Sequence, residues 1–293
     1  MFVTKGRVWR PRRILLYGQH GVGKSTFAAG SPAPVFLDCE DGLGDLDVAK
    51  TPVLKSYADV LGAISYLNQS LDKFETVVVD TVDWVQSLIF AHVAQQQKKG
   101  NIEEIGYGKG YAMAETVWRE LLTHLDSLRA AGKHVLLLAH AKIARFESPD
   151  SASYDRYEPD LHKVGSAVIQ EWCDEVFFAS FRIFVRTEDQ GFNRERAIAQ
   201  GGKERFIRTN ESASALAKSR LGLPDELPMQ WAALAQFIPP KPTTQQLAKP
   251  AGNIAGIVND GSSKTVAGNI REELAKGQHF TLTEEALEVP ASA

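Results

Sequence analysis

The apolar run Ile14-Leu15-Leu16 feeds directly into Tyr17-Gly18-Gln19-His20-Gly21-Val22-Gly23-Lys24-Ser25-Thr26, and no other stretch constrains the chain as much. It satisfies G-x-x-x-x-G-K-[ST] in the setting that gives the pattern meaning, a short buried strand followed by a tight turn and a helix start. Glycines at 18, 21 and 23 let successive backbone N–H groups curl toward one point, and the helix adds its positive end. The loop is therefore expected to be a concave anion site. Gly18, Gln19, His20, Gly21, Val22 and Gly23 would cradle the phosphates of a nucleotide, with Lys24 reaching the β- and γ-phosphates. The Ser25 hydroxyl would sit on Mg²⁺, and Thr26 would begin the helix that continues through Phe27-Ala28-Ala29.

At 293 residues the chain can bury a full core. Apolar and charged fractions of 44% and 24% are those of an ordinary globular protein, and no apolar run approaches the roughly 18 residues of a membrane span. Met-Phe-Val-Thr-Lys-Gly lacks the order of a secretion signal, so a cytoplasmic location is expected. Cys39 and Cys173 support neither a disulfide framework nor a cysteine metal site and read as buried thiols. A formal net charge of -3 argues against coating duplex DNA by bulk attraction. Lys5, Arg7, Arg10, Arg12 and Arg13 nevertheless make one acid-free basic run before the first strand, which a solvated face would also produce.

Downstream, Gly30-Ser31-Pro32 should close the first helix, and Pro34 to Glu40 reads as a buried strand ending in acids. A carboxylate at the carboxyl end of a strand beside the one carrying the phosphate loop could activate a water, and Glu40 is the first candidate, with turn capping as its alternative. Tyr57, Val60, Leu61, Ile64 and Leu67 predict a helix over 56–70. Phe74 to Thr81, three valines ending in Asp80, fits a strand whose carboxylate holds Mg²⁺. A long helix follows to Gln97. Ile105 to Tyr111 is a glycine-rich connection in which Tyr107 could stack on a base and Lys109 meet a phosphate, or a merely mobile link before a helix over 113–130.

His134 to His140 is another buried strand, its last residue either a γ-phosphate sensor donating a ring N–H or a structural cap. Residues 142–163 read as a long polar loop whose Lys142, Arg145, Arg156 and Lys163, interleaved with tyrosines, suit single-stranded nucleic acid. A helix over 165–173, strands over 175–179 and 181–185, a turn at 188–191 and a strand over 205–209 complete the core. If residues 217–224 are extended, Lys218 and Arg220 emerge on one face, either gripping phosphates across a subunit boundary or forming a basic edge. Trp231 to Ile238 reads as a short helix end, and Pro239-Pro240-Lys241-Pro242 starts a linker. The expected division is a domain over 1–238, a Pro/Gly-rich linker over 239–261 and a tail over 262–293.

The ordered set 18–26, 35–40, 76–81, 134–140 and 218–224 resembles the phage nucleotide-binding proteins with a RecA-like ATPase core, a group that includes single-strand annealing recombinases. The resemblance implies an α/β fold, a mostly parallel sheet flanked by helices, using ATP and Mg²⁺. It implies Glu40 as the catalytic glutamate, Asp80 as the Walker B acid and His140 as a polar sensor. Lys218 and Arg220 match paired cations that reach a neighbouring subunit's ATP, which implies a homo-oligomer with ATP at its interfaces. Residues 105–111 and 142–163 fall where such proteins carry DNA-binding loops. The implied activity is ATP-dependent single-stranded DNA binding that promotes annealing or exchange in a bacterial host cytoplasm, with the tail docking a single-stranded DNA-binding or replication protein. The alternative is an ATP-dependent loading or packaging accessory that acts mainly on a protein partner.

Overall fold

In the computed structural model, residues 9–148, 152–189 and 195–241 are described. The strand β1 (Arg13–Gly18) runs into the phosphate loop and α1 (Lys24–Ala29). Then come β2 (Pro34–Asp38), the two-residue β3 (Ala49–Lys50), α2 (Tyr57–Gln69), β4 (Thr76–Asp80), α3 (Val82–Gln96) and α4 (Lys109–Ala130). The second half contains β5 (His134–Phe146), β6 (Tyr154–Pro159), α5 (Lys163–Trp172), β7 (Glu175–Asp189), β8 (Glu195–Arg208), β9 (Glu226–Pro228) and α6 (Trp231–Ala235). The sheet order is β3-β2-β4-β5-β1-β7-β8-β9, with β6 paired to β5 outside that path. All contacts from β3 to β7 along this order are parallel, and β8, β9 and β6 join antiparallel. This is the expected α/β architecture of a RecA-like phosphate-loop core.

The near-continuous apolar strands follow from burial on both faces. Leu15, Tyr17, Leu37, Val77, Val79, Val135 and Leu137 point to one side, where α2, α3, α4 and α5 cover them. Ile14, Leu16, Phe36, Val78, Leu136 and Leu138 point to the other, against Phe27 of α1 and Trp231 and Leu234 of α6. Helix α2 starts where Ser56 caps it, its Oγ accepting from the Asp59 N–H at 3.1 Å, and it buries Tyr57, Val60, Ile64 and Leu67. In α4 a stripe from Ala114 through Val117, Trp118, Leu121, Leu122, Leu125 and Leu128 does the same over about four turns.

Several expectations need correcting. Residues 142–163 are not a loop, because β5 continues past the sheet to Phe146 and pairs antiparallel with β6, Ala141 facing Pro159 and Phe146 facing Tyr154. Phe146 stacks under the Arg156 guanidinium at 4.0 Å and against Tyr154 at 5.4 Å, so a polar-looking segment holds itself together through side-chain pairs on the ribbon. Its base is tied to the core where the Tyr17 hydroxyl donates to the carbonyls of Tyr157 and Leu216. The two strands expected over 175–185 are one, β7, with only a register shift between Phe181 and Ile183. The turn expected at 188–191 is strand as far as Asp189, and the rest lies outside the described residues. Helix α4 begins at Lys109, four residues earlier than expected, once Gly106 and Gly108 have turned the chain at positive φ. β2 also does not lie beside β1, since β4 and β5 stand between them.

The described core belongs to a compact unit covering Met1–Lys241. Its end is held where the Trp9 indole N–H donates to the Pro239 carbonyl at 2.9 Å. The expected linker beyond Lys241 and the tail over 262–293 lie outside the described residues, as do Lys5 and Arg7.

Candidate functional site

The carboxyl ends of β1, β5, β4 and β2 converge on one cavity of about 350 Å³. β1 delivers the phosphate loop, and two of its glycines are required by the backbone. Gly23 has φ +100 and Gly18 packs so close to β7 that an added Cβ would lie 2.4 Å from the Ala179 carbonyl oxygen. Lys24 is only 7% exposed and its ammonium donates to the Gly18 and Gln19 carbonyls at 3.2 and 3.3 Å. Burial holds its pKa below the ordinary lysine value, while Asp80, Asp83 and Glu40 pull the other way. His20, Gly21, Gly23, Ser25 and Thr26 line the same cavity, whereas Val22 is fully buried beneath the loop.

Asp80 ends β4 and is 5% exposed, its Oδ2 accepting from the Ser25 hydroxyl at 2.7 Å. Burial pushes its carboxyl up to about 6 despite that hydrogen bond. A buried carboxylate that lacks a full counter-charge, touching a hydroxyl at ligand-to-ligand spacing, fits a hard divalent cation with oxygen ligands. The residues present therefore suit Mg²⁺.

Two strand-end acids differ in what they do. Asp38 accepts the Asp41 N–H at 2.8 Å and so caps the turn after β2. Glu40, two residues past the strand, crosses toward β4, where the Thr81 hydroxyl donates to its Oε2 at 3.2 Å. Its Oε1 faces His140 Nε2 at 3.6 Å. His140 is the last β5 residue paired with β1, and its ring is locked by Asp83: the His140 backbone N–H donates to Oδ1 at 3.0 Å and Nδ1 meets Oδ2 at 2.8 Å. Burial alone would raise the Asp83 carboxyl, but the bonds from His140 hold it below the ordinary carboxylate range. An ionised carboxylate only accepts, so Nδ1 donates its N–H to Asp83 and the ring is turned with Nε2 toward Glu40.

The sequence profile of a family described as "AAA domain" matches residues 10–221, a span that contains every element just described. The chain belongs to this AAA-domain family. It is a P-loop ATPase, and its site is a nucleotide site. The SPbeta prophage-derived uncharacterized protein YorG of Bacillus subtilis (strain 168) is 25% identical over 134 residues, which make up 44% of this chain. The chain spans about two fifths of that relative's length, 40%. Among solved structures, the KaiC-like protein PH0186 of Pyrococcus horikoshii OT3 matches 75% of this chain and 85% of its own, with 14% identity and a TM-score of 0.36. The flagellar accessory protein FlaH of Methanocaldococcus jannaschii has the same two coverages, with 9% identity and a TM-score of 0.38.

The remaining candidates of this AAA-domain protein lie away from the nucleotide cavity. Lys218 pairs through its backbone with Val176, and its ammonium donates to the Gln170 carbonyl at 2.7 Å. The Arg220 guanidinium lies 3.5 Å from Asp174, a carboxylate that also holds Arg13 and Arg129. Arg12, Arg13, Arg129 and Arg220 line a second cavity of about 890 Å³. That cavity lies at the Arg13 end of β1, five residues or about 17 Å from Gly18, so neither cation can serve its own chain's phosphate loop. Arg12 and Arg13 are accordingly half-buried in ion pairs with Glu175 and Asp174, not a solvated face.

Three cations of the expected DNA track face acids within the chain. Lys142 faces Asp160 at 3.7 Å, Arg145 faces Glu147 at 3.6 Å, and Arg156 is clamped by Glu158 and Glu211 at 2.8 and 2.9 Å. Lys109 and Lys163 instead sit at the first turns of α4 and α5, and Tyr107 projects fully into solvent.

Sequence reasoning missed three participants. Asp83 stands in the first turn of α3 and Thr81 at the N-cap position before it, where neither residue type signals a site. Arg205 comes from β8, 181 positions after Lys24, and its guanidinium lies 2.9 Å from where a Gly23 Cβ would be. Its proximity depends on the antiparallel addition of β8 beyond β7, for which the local sequence carries no signal.

Proposed function

We propose that the chain hydrolyses ATP with Mg²⁺, using Glu40 as the general base. The observation that carries this is the placement of Glu40 in the lining of the phosphate-loop cavity, one oxygen accepting from Thr81 and the other facing His140 Nε2. Lys24 would leave its two carbonyl partners for the β- and γ-phosphates, while Ser25 and Asp80 would hold the metal. Mg²⁺, when bound, supplies charge neutralisation at the phosphate oxygens. Arg205 adds a second cation from the same chain. Glu40→Gln keeps shape and hydrogen bonding but cannot take a proton, so ATP binding should persist while turnover falls about 10²–10⁴-fold. Normal turnover in Glu40→Gln, with loss in Asp38→Asn, would reverse the assignment of the two acids.

The work done by hydrolysis is proposed to be the loading or packaging of a protein partner, in a phage setting that the prophage origin of the YorG protein supports. The acids that face Lys142, Arg145 and Arg156 within the chain favour this over a nucleic-acid track. Single-stranded DNA annealing or exchange is the second reading, favoured by the exposed Tyr107 ring two residues before Lys109. Turnover measured with and without single-stranded DNA separates the two: several-fold stimulation, lost in Tyr107→Ala, supports annealing, and an unchanged rate supports the protein partner.

In either case Lys218 and Arg220 are proposed to complete the site of a neighbouring copy, because their distance from their own loop leaves no other nucleotide to serve. The test mixes Lys218→Ala/Arg220→Ala chains with Lys24→Ala chains. Recovered turnover supports completion across an interface. Activity no greater than the sum of the separate mutants, with co-assembly verified, returns both cations to a structural role.

A further inference from the structure

His20, Glu40 and His140 bring one donor atom each to within 4.8 Å of one another, the one such group of three among the described residues. The His20 ring stacks on that of His140 with centroids 3.8 Å apart and planes 20° from parallel. With Nδ1 donating its N–H to Asp83, His140 presents Nε2 to the Oε1 oxygen of Glu40, 3.6 Å away. A nitrogen and a carboxylate oxygen facing each other at that distance are a pair that a metal ion, or a proton, would bridge. A carboxylate behind a histidine, orienting its outer nitrogen, is also the arrangement that supports metal-bound imidazoles.

We propose that His20, Glu40 and His140 form a binding site for a transition-metal ion of the Zn²⁺ class, separate from the Mg²⁺ ligands Ser25 and Asp80. Two imidazoles and one carboxylate select such an ion over Mg²⁺, which prefers oxygen ligands. Zinc with ligands at about 2.0–2.1 Å keeps neighbouring donors roughly 3.4 Å apart in a tetrahedron. The His140–Glu40 pair already has that spacing, and His20, exposed on the phosphate loop, can supply the remaining approach by side-chain rotation. Three protein ligands leave at least one position open to the cavity. Bound metal occupies the Glu40 oxygen that would accept the proton of the attacking water, so the ion acts as a brake on hydrolysis. That consequence rests on Glu40 being the base; the binding site itself does not.

The experiment titrates ZnCl₂ alone into the full, nucleotide-free chain by calorimetry and repeats the titration with CoCl₂ while following visible absorption. The expected result is one high-affinity ion per chain, weakened at least tenfold in His20→Ala and in His140→Ala. Asp83→Asn, which removes no ligand, should weaken binding about 10–100-fold. The surface variant His124→Ala should leave it unchanged. His20→Ala is the decisive variant because the ring is exposed and its loss does not open the core; thermal melts check the others. Zinc binding that is absent, or equally tight in His20→Ala and His140→Ala, overturns the site. Turnover is then measured with added zinc, each variant against its own zinc-free rate, and inhibition should be strong in the wild type and relieved in His20→Ala. Tight binding without inhibition would leave the metal site standing and refute the role of Glu40 as base.

Discussion

Gly18→Ala tests whether the approach of two backbones, and not flexibility, demands the first glycine of the loop. Gly18 pairs with Ala179 in the parallel β1–β7 ladder, and Ala179 is fully buried. An added Cβ would meet the Ala179 carbonyl oxygen at 2.4 Å and its Cβ at 2.9 Å, whereas ordinary contact starts at 3.4 Å. The strands must therefore part by about 1 Å in the middle of a sheet packed on both faces, where an overfilled core typically costs about 1–3 kcal/mol. The upper end applies because both clashing groups belong to a buried strand. Gly21 provides the control: it has φ +70 but nothing within 4 Å of an added Cβ, so Gly21→Ala carries only left-handed strain, about 1–2 kcal/mol. Urea denaturation should rank Gly18→Ala clearly below Gly21→Ala. Adding Ala179→Gly should restore only part of the difference, since it removes the Cβ contact and leaves the carbonyl. ATP affinity should fall with stability in Gly18→Ala, because the displaced Gly18 carbonyl is also a partner of Lys24. Equal midpoints for the two single variants, or full rescue by Ala179→Gly, would refute the steric reasoning.

Lys24→Ala removes a buried cation whose charged hydrogen bonds contribute roughly 1.5–3 kcal/mol, so calorimetry should show ATP affinity reduced at least tenfold. His134 gives a pH signature. Burial, helped by the Arg12 charge, lowers its pKa from 6.5 to about 4, with Nδ1 accepting the Arg12 N–H at 3.1 Å. The native state then binds fewer protons than the unfolded chain between those values. The stabilisation is complete above about 6.5 and is lost as pH falls toward 4, amounting to at most about 3 kcal/mol. Urea midpoints measured between pH 7.5 and 4.5 should fall more steeply for the wild type than for His134→Gln, and parallel curves would contradict this account.

The phosphate loop, the strands over 34–38 and 76–80, and the convergence of Lys24, Ser25 and Asp80 on one cavity were legible in the chain itself. Their chemistry depends on short-range spacing: a buried strand, three glycines and a helix start make an anion site wherever they occur together. The parallel α/β architecture followed from runs such as Val77-Val78-Val79 and Leu136-Leu137-Leu138, which are apolar on both faces. What lies within about ten residues of the loop is fixed by local backbone geometry.

Tertiary structure decided everything that depends on strand order. Only the insertion of β4 and β5 between β2 and β1 brings Glu40 against Thr81 and His140 and leaves Asp38 to cap a turn. The pairing of Asp83 with His140 turns the ring's Nε2 toward Glu40, an orientation that a place at a strand end does not show. Likewise, residues 142–163 looked like a basic loop because a two-stranded ribbon outside the sheet buries little apolar surface, and the Arg156–Glu211 ion pair forms only once segments 55 positions apart are brought together. Arg205 reaches the phosphate loop for the same reason: contacts between distant segments are set by sheet topology, which residue spacing along the chain does not encode.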